Sequence, residues 1–476
     1  MMDDIAPQGA AGAEAPKRAI GAEIRSKLNH PVIDGDGHAV ELSAALPDYL
    51  SQIVGPDQTR EWTEKVGAPT VLQVPPGGWW LSPSGPITID RAMAMLPAMR
   101  KERNQAVGID FSVVYTTLGL QMLNIKEDER RRAFSRALNM MNADVYGGFS
   151  DCMTVSAIVP VESPAEAIDE LEFVTSELGM KTITINGYVA HQPTDDEPRR
   201  VIPLALDSLE DYDPFWQRCL DLGVSVACHG GSSGTDRHAS RVNYTFNHIS
   251  TFADHNEFFC RSLFFGGVPK RFPELNFAFL EGGVGWACNL YHNIYEHWER
   301  RNAGAMGEFL DPRTLDVELL AEMAEAYATP GVTPERVRTE GEGIKSRLAA
   351  DADVPDDFAL CAISCGEDIR DQFTHSFYFG CEADDRMAAV AFDEKLLRKG
   401  ARIKAVFGSD IGHWDVQDAL GVLGEAHELV DDDLISDEDF GDFTFANSVR
   451  LHGRMNPDFF KGTVIEAEAA AVLKGD

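Results

Sequence analysis

Four short apolar runs in this chain each end in a side chain able to ligate a metal, and together they span most of its length. Val32-Ile33-Asp34-Gly35-Asp36-Gly37-His38 stands near the start, and Phe407-Gly408-Ser409-Asp410-Ile411-Gly412-His413-Trp414-Asp415 stands near the end. Between them lie Val226-Ala227-Cys228-His229-Gly230-Gly231 and Phe279-Leu280-Glu281-Gly282-Gly283. Asp36 and His38 are two apart, a spacing that turns both side chains to one face of a strand. A neutral imidazole at His229 supplies a further nitrogen donor at a catalytic position, and the glycines after it let backbone approach a substrate. Glu281 is costly to bury unless it is paired or bound to a cation. Asp410 suits either of two catalytic roles: direct metal ligand, or general base that takes a proton from metal-activated water. His413 and Asp415 follow closely and read as groups that either support the ligands from behind or face the substrate. Each motif alone is common. Jointly they point to chemistry with one or two divalent ions, and mixed nitrogen and oxygen donors suit zinc, iron or manganese alike.

Such residues reach one another only if the strands carrying them lie side by side. Eight short apolar strands are expected at about 32–38, 111–117, 153–159, 181–186, 224–229, 276–281, 376–381 and 403–410, the signature of strands buried on both faces. Amphipathic helices are expected between them, among others over 91–107, 127–146, 163–179 and 212–222. Strand and helix alternating eight times predicts an α/β fold, a (β/α)8 TIM barrel, with the ligands at the C-terminal strand ends. Residues 1–29 read as a mobile N-terminal arm, and 30–476 as the barrel. Two segments exceed what a barrel needs. The long loop at 39–90 after the first strand carries Trp79 and Trp80, either a substrate-facing flap or a packed loop with its own aromatic plug. The acidic, helical insertion at 302–366 after the sixth strand either caps the site or makes a subunit contact. The stretch from Asp431 to Asp442 reads as a solvated acidic loop.

The bulk composition narrows the partners. The chain has 476 residues, with 42 Lys plus Arg against 77 Asp plus Glu, a net charge of −35. A field of that sign disfavours nucleic acid and anionic membranes, so a small-molecule substrate is expected, and an anionic one needs a metal or local arginines such as Arg237 and Arg241. The eight cysteines are scattered without a CxxC pair, which favours reduced thiols. With no apolar run near the length of a membrane span and no signal-peptide pattern, the expected location is cytoplasmic.

These motifs resemble the amidohydrolase superfamily: Asp-x-Asp-x-His on the first strand, His-Gly-Gly on the fifth and Phe-Gly-Ser-Asp on the eighth. Within it they are most similar to the amidohydrolase-2 branch, which includes aminocarboxymuconate-semialdehyde decarboxylase and the resorcylate decarboxylases. The resemblance covers roughly residues 30 to 460, including the family-like segments 272–286 and 455–460. It implies a divalent metal in the barrel mouth. Asp36 stands where many relatives have the first histidine of HxH and where decarboxylases of phenolic acids have a glutamate. His38 matches the second histidine, His229 the strand-five ligand and Asp410 the strand-eight aspartate. Two departures stand out. Glu281 occupies the strand-six position where relatives carry histidine, and strand four ends in Thr184-Ile185-Asn186 without the lysine that bridges two metals in many members; Lys181 lies at that strand's start. Glu281 there would bind or bridge a second ion, with help from His248 before His255 or His292.

The expected function is therefore a metal-dependent hydrolase acting on an amide, ester, thioester or lactone of a small organic substrate. The alternative is a metal-dependent decarboxylase or hydratase of an aromatic or unsaturated acid, with Arg237 or Arg241 holding the carboxylate. Trp79, Trp80 and His413 are the other expected substrate contacts. A non-catalytic barrel is the third class. Homo-oligomers are common for such barrels, and one is expected here.

Overall fold

The computed structural model describes residues 20–66, 83–191, 200–230, 240 and 243–475. Eleven strands form among them: β1 (Ile33–Ala39), β2 (Phe111–Thr116), β3 (Met153–Val155), β4 (Ala157–Ile158), β5 (Thr182–Ile185), β6 (Tyr188–His191), β7 (Arg200–Pro203), β8 (Ser225–Cys228), β9 (Phe277–Phe279), β10 (Phe377–Glu382) and β11 (Lys404–Gly408). One sheet has the order β1-β2-β3 and another the order β11-β10-β9-β8-β5-β4. Every pairing within these two sheets is parallel. All eight expected strand segments are present. The antiparallel hairpin of β6 and β7 was not expected; it is an excursion between β5, the fourth of the expected strands, and helix Asp213–Leu222.

The two sheets meet at both edges. Ser156 separates β3 from β4; its N–H donates to Val114 O at 2.8 Å and its hydroxyl lies 2.8 Å from Thr184 Oγ1. At the other edge Asp410 N–H donates to Asp36 O at 3.2 Å. Alternate strand residues pack inward: Phe111, Val113 and Tyr115 of β2 join Ile33, Ala227, Ala278 and Val406 in one cluster. Phe459 and Phe460 belong to the same cluster, and Lys181 Nζ donates to Phe459 O at 2.7 Å. The start of β5 therefore lies at the end of the strands opposite the candidate ligands. Each buried phenylalanine contributes roughly 1.5–3 kcal/mol through burial.

Helices cover the outer faces largely where the periodicity places them. Helix Pro164–Ser176 starts at Ser163, whose side chain accepts the Glu166 N–H at 3.2 Å. The helix expected over 91–107 is two, Thr88–Met95 and Pro97–Val107, with Leu96 extended between them. Proline excludes the helical conformation for its predecessor, so the break falls at Leu96. Within the segment expected as an arm, Ile20–Arg25 is a helix whose Gly21 N–H donates to Leu420 O at 3.2 Å. The Asp431–Asp442 stretch is not a plain solvated loop: Ser436 and Asp439 form a capping box on helix Asp437–Gly441, and Asp439 also pairs with Arg402. Helices Val317–Ala326 and Pro334–Lys345 occupy the 302–366 segment. All eight cysteines are free, and all but Cys365 are buried. No helix among the described residues is long and apolar enough to cross a membrane.

Candidate metal centre

The strands bring five of the expected ligands to one buried point. β1 carries a one-residue bulge between Asp34 and Gly37 against β2, which places His38 beside Tyr115 in the pairing register. His38 Nε2 then lies 3.1 Å from His229 Nε2, 3.2 Å from Asp410 Oδ1, 3.6 Å from Glu281 Oε2 and 3.8 Å from Asp36 Oδ1. His229 Nε2 lies 3.1 Å from Glu281 Oε2 and 3.5 Å from Asp36 Oδ1. Asp36, His38, His229, Glu281 and Asp410 are all buried.

Glu281 and Asp410 sit just past β9 and β11 with φ of 57° and 47°, a left-handed conformation that costs a non-glycine residue about 1 kcal/mol or more. Asn256 Nδ2 donates to Leu280 O at 2.7 Å and fixes the peptide before Glu281. Nothing in the local sequence announced that support.

His413 enters the cluster as well. Its Nδ1 lies 2.6 Å from Asp410 Oδ1, its Nε2 lies 3.1 Å from Thr117 Oγ1, and its ring is 3.8 Å from that of His38. Two ligand-competent groups result, Asp36–His38–His229 and His38–Glu281–Asp410–His413, each with its donor atoms within 4.8 Å of one another.

The electrostatics favour a cation. Burial raises Asp36 to about 6, against the pull of His229. Burial opposes charge on His229 too, yet Asp36 and Glu281 bring it up to about 10. Asp410 is held well above the carboxylate range by burial and by the charges of Glu281 and Asp415. Glu382, at the end of β10, is pushed up to about 9 by burial, Asp415 and Glu281. Asp36 Oδ1, Glu281 Oε2 and both Asp410 oxygens are buried without a partner in hydrogen-bond geometry. Three carboxylates and two imidazoles with orphaned oxygens fit a divalent ion, which would neutralise the repulsion and satisfy those atoms.

The remaining expected residues fall in different places. His248 lies among aromatic rings, 5.4 Å from both Trp414 and Phe252, and is not one of the clustered donors. His255 is buried 4.9 Å from the Tyr188 ring, and His292 pairs with Glu296 at 3.5 Å. Arg237, Arg241, Trp79 and Trp80 lie outside the described residues. A cavity of about 270 Å³ is lined by Asn124, Lys126, Asn186 and Tyr188 among others. Asn186 directly follows β5, so this cavity opens at the same strand ends as the ligands.

A family model described as amidohydrolase matches residues 33–439. No curated protein matches the sequence. Among solved structures, an amidohydrolase from Mycobacterium avium subsp. paratuberculosis is similar at 16% identity and TM-score 0.52, covering 90% of this chain and 100% of that one. A dihydroxybenzoic acid decarboxylase from Polaromonas, solved with manganese and 2-nitroresorcinol, is similar at 16% identity and TM-score 0.51, over 91% and 99% of the two chains. A 5-carboxyvanillate decarboxylase from Novosphingobium aromaticivorans, complexed with manganese and a nitrobenzoic acid, shows 12% identity and TM-score 0.51, over 90% and 97%.

Proposed function

The chain belongs to the amidohydrolase family, and from that premise we propose that it is a metal-dependent hydrolase of an amide, ester, thioester or lactone in a small organic molecule. The observation that carries this reading is the cluster of orphaned carboxylate oxygens around His38 and His229. Asp36, His38, His229, Glu281 and Asp410 would hold one or two divalent ions. When bound, such an ion supplies Lewis acidity and makes a water acidic near neutral pH. Asp410 would take up a proton, and His413, whose Nδ1 lies 2.6 Å from Asp410 Oδ1, would pass it to the leaving group. The fold we assign to this reading is a closed eight-stranded barrel, supported by the hydrogen bonds of Ser156 and Asp410 across the two sheet edges.

Decarboxylation of an aromatic acid is the second reading. The two decarboxylases of similar fold favour it. The two readings separate on product analysis: hydrolysis adds water, whereas decarboxylation releases CO2 without it. Metal content per chain by mass spectrometry, on wild type grown in supplemented medium, tests the shared premise. One or two ions per chain is the expected result, and a chain that holds none after reconstitution defeats both readings.

A further inference from the structure

On the side of β1 that faces helix Pro97–Val107, a polar group of three residues is sealed from solvent. Asp34 is 0% exposed, and Arg100 and Ser409 are each 1% exposed. Asp34 Oδ1 accepts the Ser409 N–H at 2.9 Å, and Oδ2 accepts the Ser409 hydroxyl at 2.8 Å. The same oxygen meets Arg100 Nη2 at 3.2 Å, while Arg100 Nη1 donates to the His38 carbonyl at 2.9 Å. The Ser409 hydroxyl also accepts the Ile411 N–H at 3.2 Å. One buried ion pair thus grips the backbone of β1 at His38 and the chain on both sides of Asp410.

A buried ion pair is a weak source of stability, since well-packed apolar residues do as well; its better-attested use is to fix a register. Here the register in question is that between the two strands carrying His38 and Asp410. Asp410 also holds a left-handed conformation, which persists only where its surroundings over-determine it. The space is reserved for the pair: a Cβ at Gly37 would collide with the Asp34 carboxylate and the Arg100 guanidinium.

We propose that Asp34, Arg100 and Ser409 are positioning residues that set the separation of His38 from Asp410 and so hold the metal centre in its working geometry. This rests on the metal-dependent reading above. None of the three belongs to the clustered donors; they act through the backbone.

The test compares wild type, Asp34→Asn, Ser409→Ala and Arg136→Gln. The last breaks a different ion pair, Arg136 with buried Glu170 at 2.9 Å, which contacts no candidate ligand. Each protein is titrated with Mn2+, its visible spectrum is recorded with Co2+, and thermal unfolding is measured without metal. Asp34→Asn is expected to weaken Mn2+ binding about 10- to 100-fold and to shift the Co2+ bands. Ser409→Ala shifts both in the same direction by less, since its backbone donor remains. Arg136→Gln lowers Tm and leaves affinity and spectrum unchanged. Should Asp34→Asn fail to fold, Ser409→Ala carries the test. Wild-type affinity and spectrum in the folded variants overturn the positioning role and leave the metal reading standing. Failure of wild type to bind either ion overturns both.

Discussion

β8 has a buried histidine at each end. His229 follows its last residue, and His452 packs against its first, with Nδ1 2.8 Å from the Ser225 hydroxyl and its ring stacked 4.4 Å from Phe459. Both are at most 1% exposed. Burial alone drives His452 down to about 3, whereas Asp36 and Glu281 reverse the same burial at His229 and bring it up to about 10. The same side chain is thus a neutral packing element at one end of the strand and a partner of carboxylates at the other. Buried charge is thus held at the C-terminal strand ends, where paired carboxylates and imidazoles meet, while the opposite end is closed by aromatic packing.

The largest effect is expected at Asp410. Asp410→Asn keeps the size and the left-handed backbone but removes the proton acceptor. Turnover is expected to fall about 10²- to 10⁴-fold with the fold and most of the metal retained; near-normal turnover would remove Asp410 from the mechanism. Next comes Glu281→Ala, read by metal per chain. A fall from two ions to one assigns Glu281 to a second ion, whereas one ion in both proteins makes it a substrate-side group and strengthens decarboxylation. Gly37→Ala forces a methyl against Asp34 and Arg100, and a loss of about 1–3 kcal/mol in unfolding free energy is expected from such overpacking. Unchanged urea denaturation would show that the pair yields easily.

At the aromatic end the effect is confined to acid pH. A histidine whose folded pKa lies below its free value is neutral in the fold and protonated once released. Its penalty on stability therefore grows as pH falls below 6.5 and levels off near 3. His452→Gln, which takes no proton, should flatten the acid side of the stability profile by up to about 1.4 kcal/mol per pH unit. Metal content stays at the wild-type value. A parallel loss of metal in this variant would mean that the two ends of β8 are coupled.

Much of the architecture was legible because buried parallel strands are written as apolar runs, and Asp36, His38, His229, Glu281 and Asp410 stand in or just after such runs. Their convergence follows from strand order alone. The supports were not legible, because they act across long sequence separations: Asp34 with Arg100 and Ser409, or Asn256 with the Leu280 carbonyl. Spacing also gave no hold on His248, which was expected among the ligands and lies instead among Tyr244, Phe252 and Trp414. His413 was read as either a support to the ligands or a substrate contact, and its Nδ1 lies 2.6 Å from Asp410 Oδ1, just past the left-handed Asp410. Local motifs name the chemistry at a strand end; they do not say which way the chain leaves it.

The left-handed conformations of Glu281 and Asp410 have a consequence for any attempt to harden this protein. At both positions glycine is the locally preferred residue. At 410, where burial and the neighbouring carboxylates hold the carboxyl well above its usual range, it would also unburden the core, whereas at 281 it would strip His229 of a charged partner 3.1 Å away. A library selected for thermostability alone will therefore enrich glycine at 410 and keep the carboxylate at 281, and its most robust winners will be the ones that have lost the Asp410 ligand. Screening for heat resistance and screening for metal retention will pull position 410 in opposite directions and agree at 281.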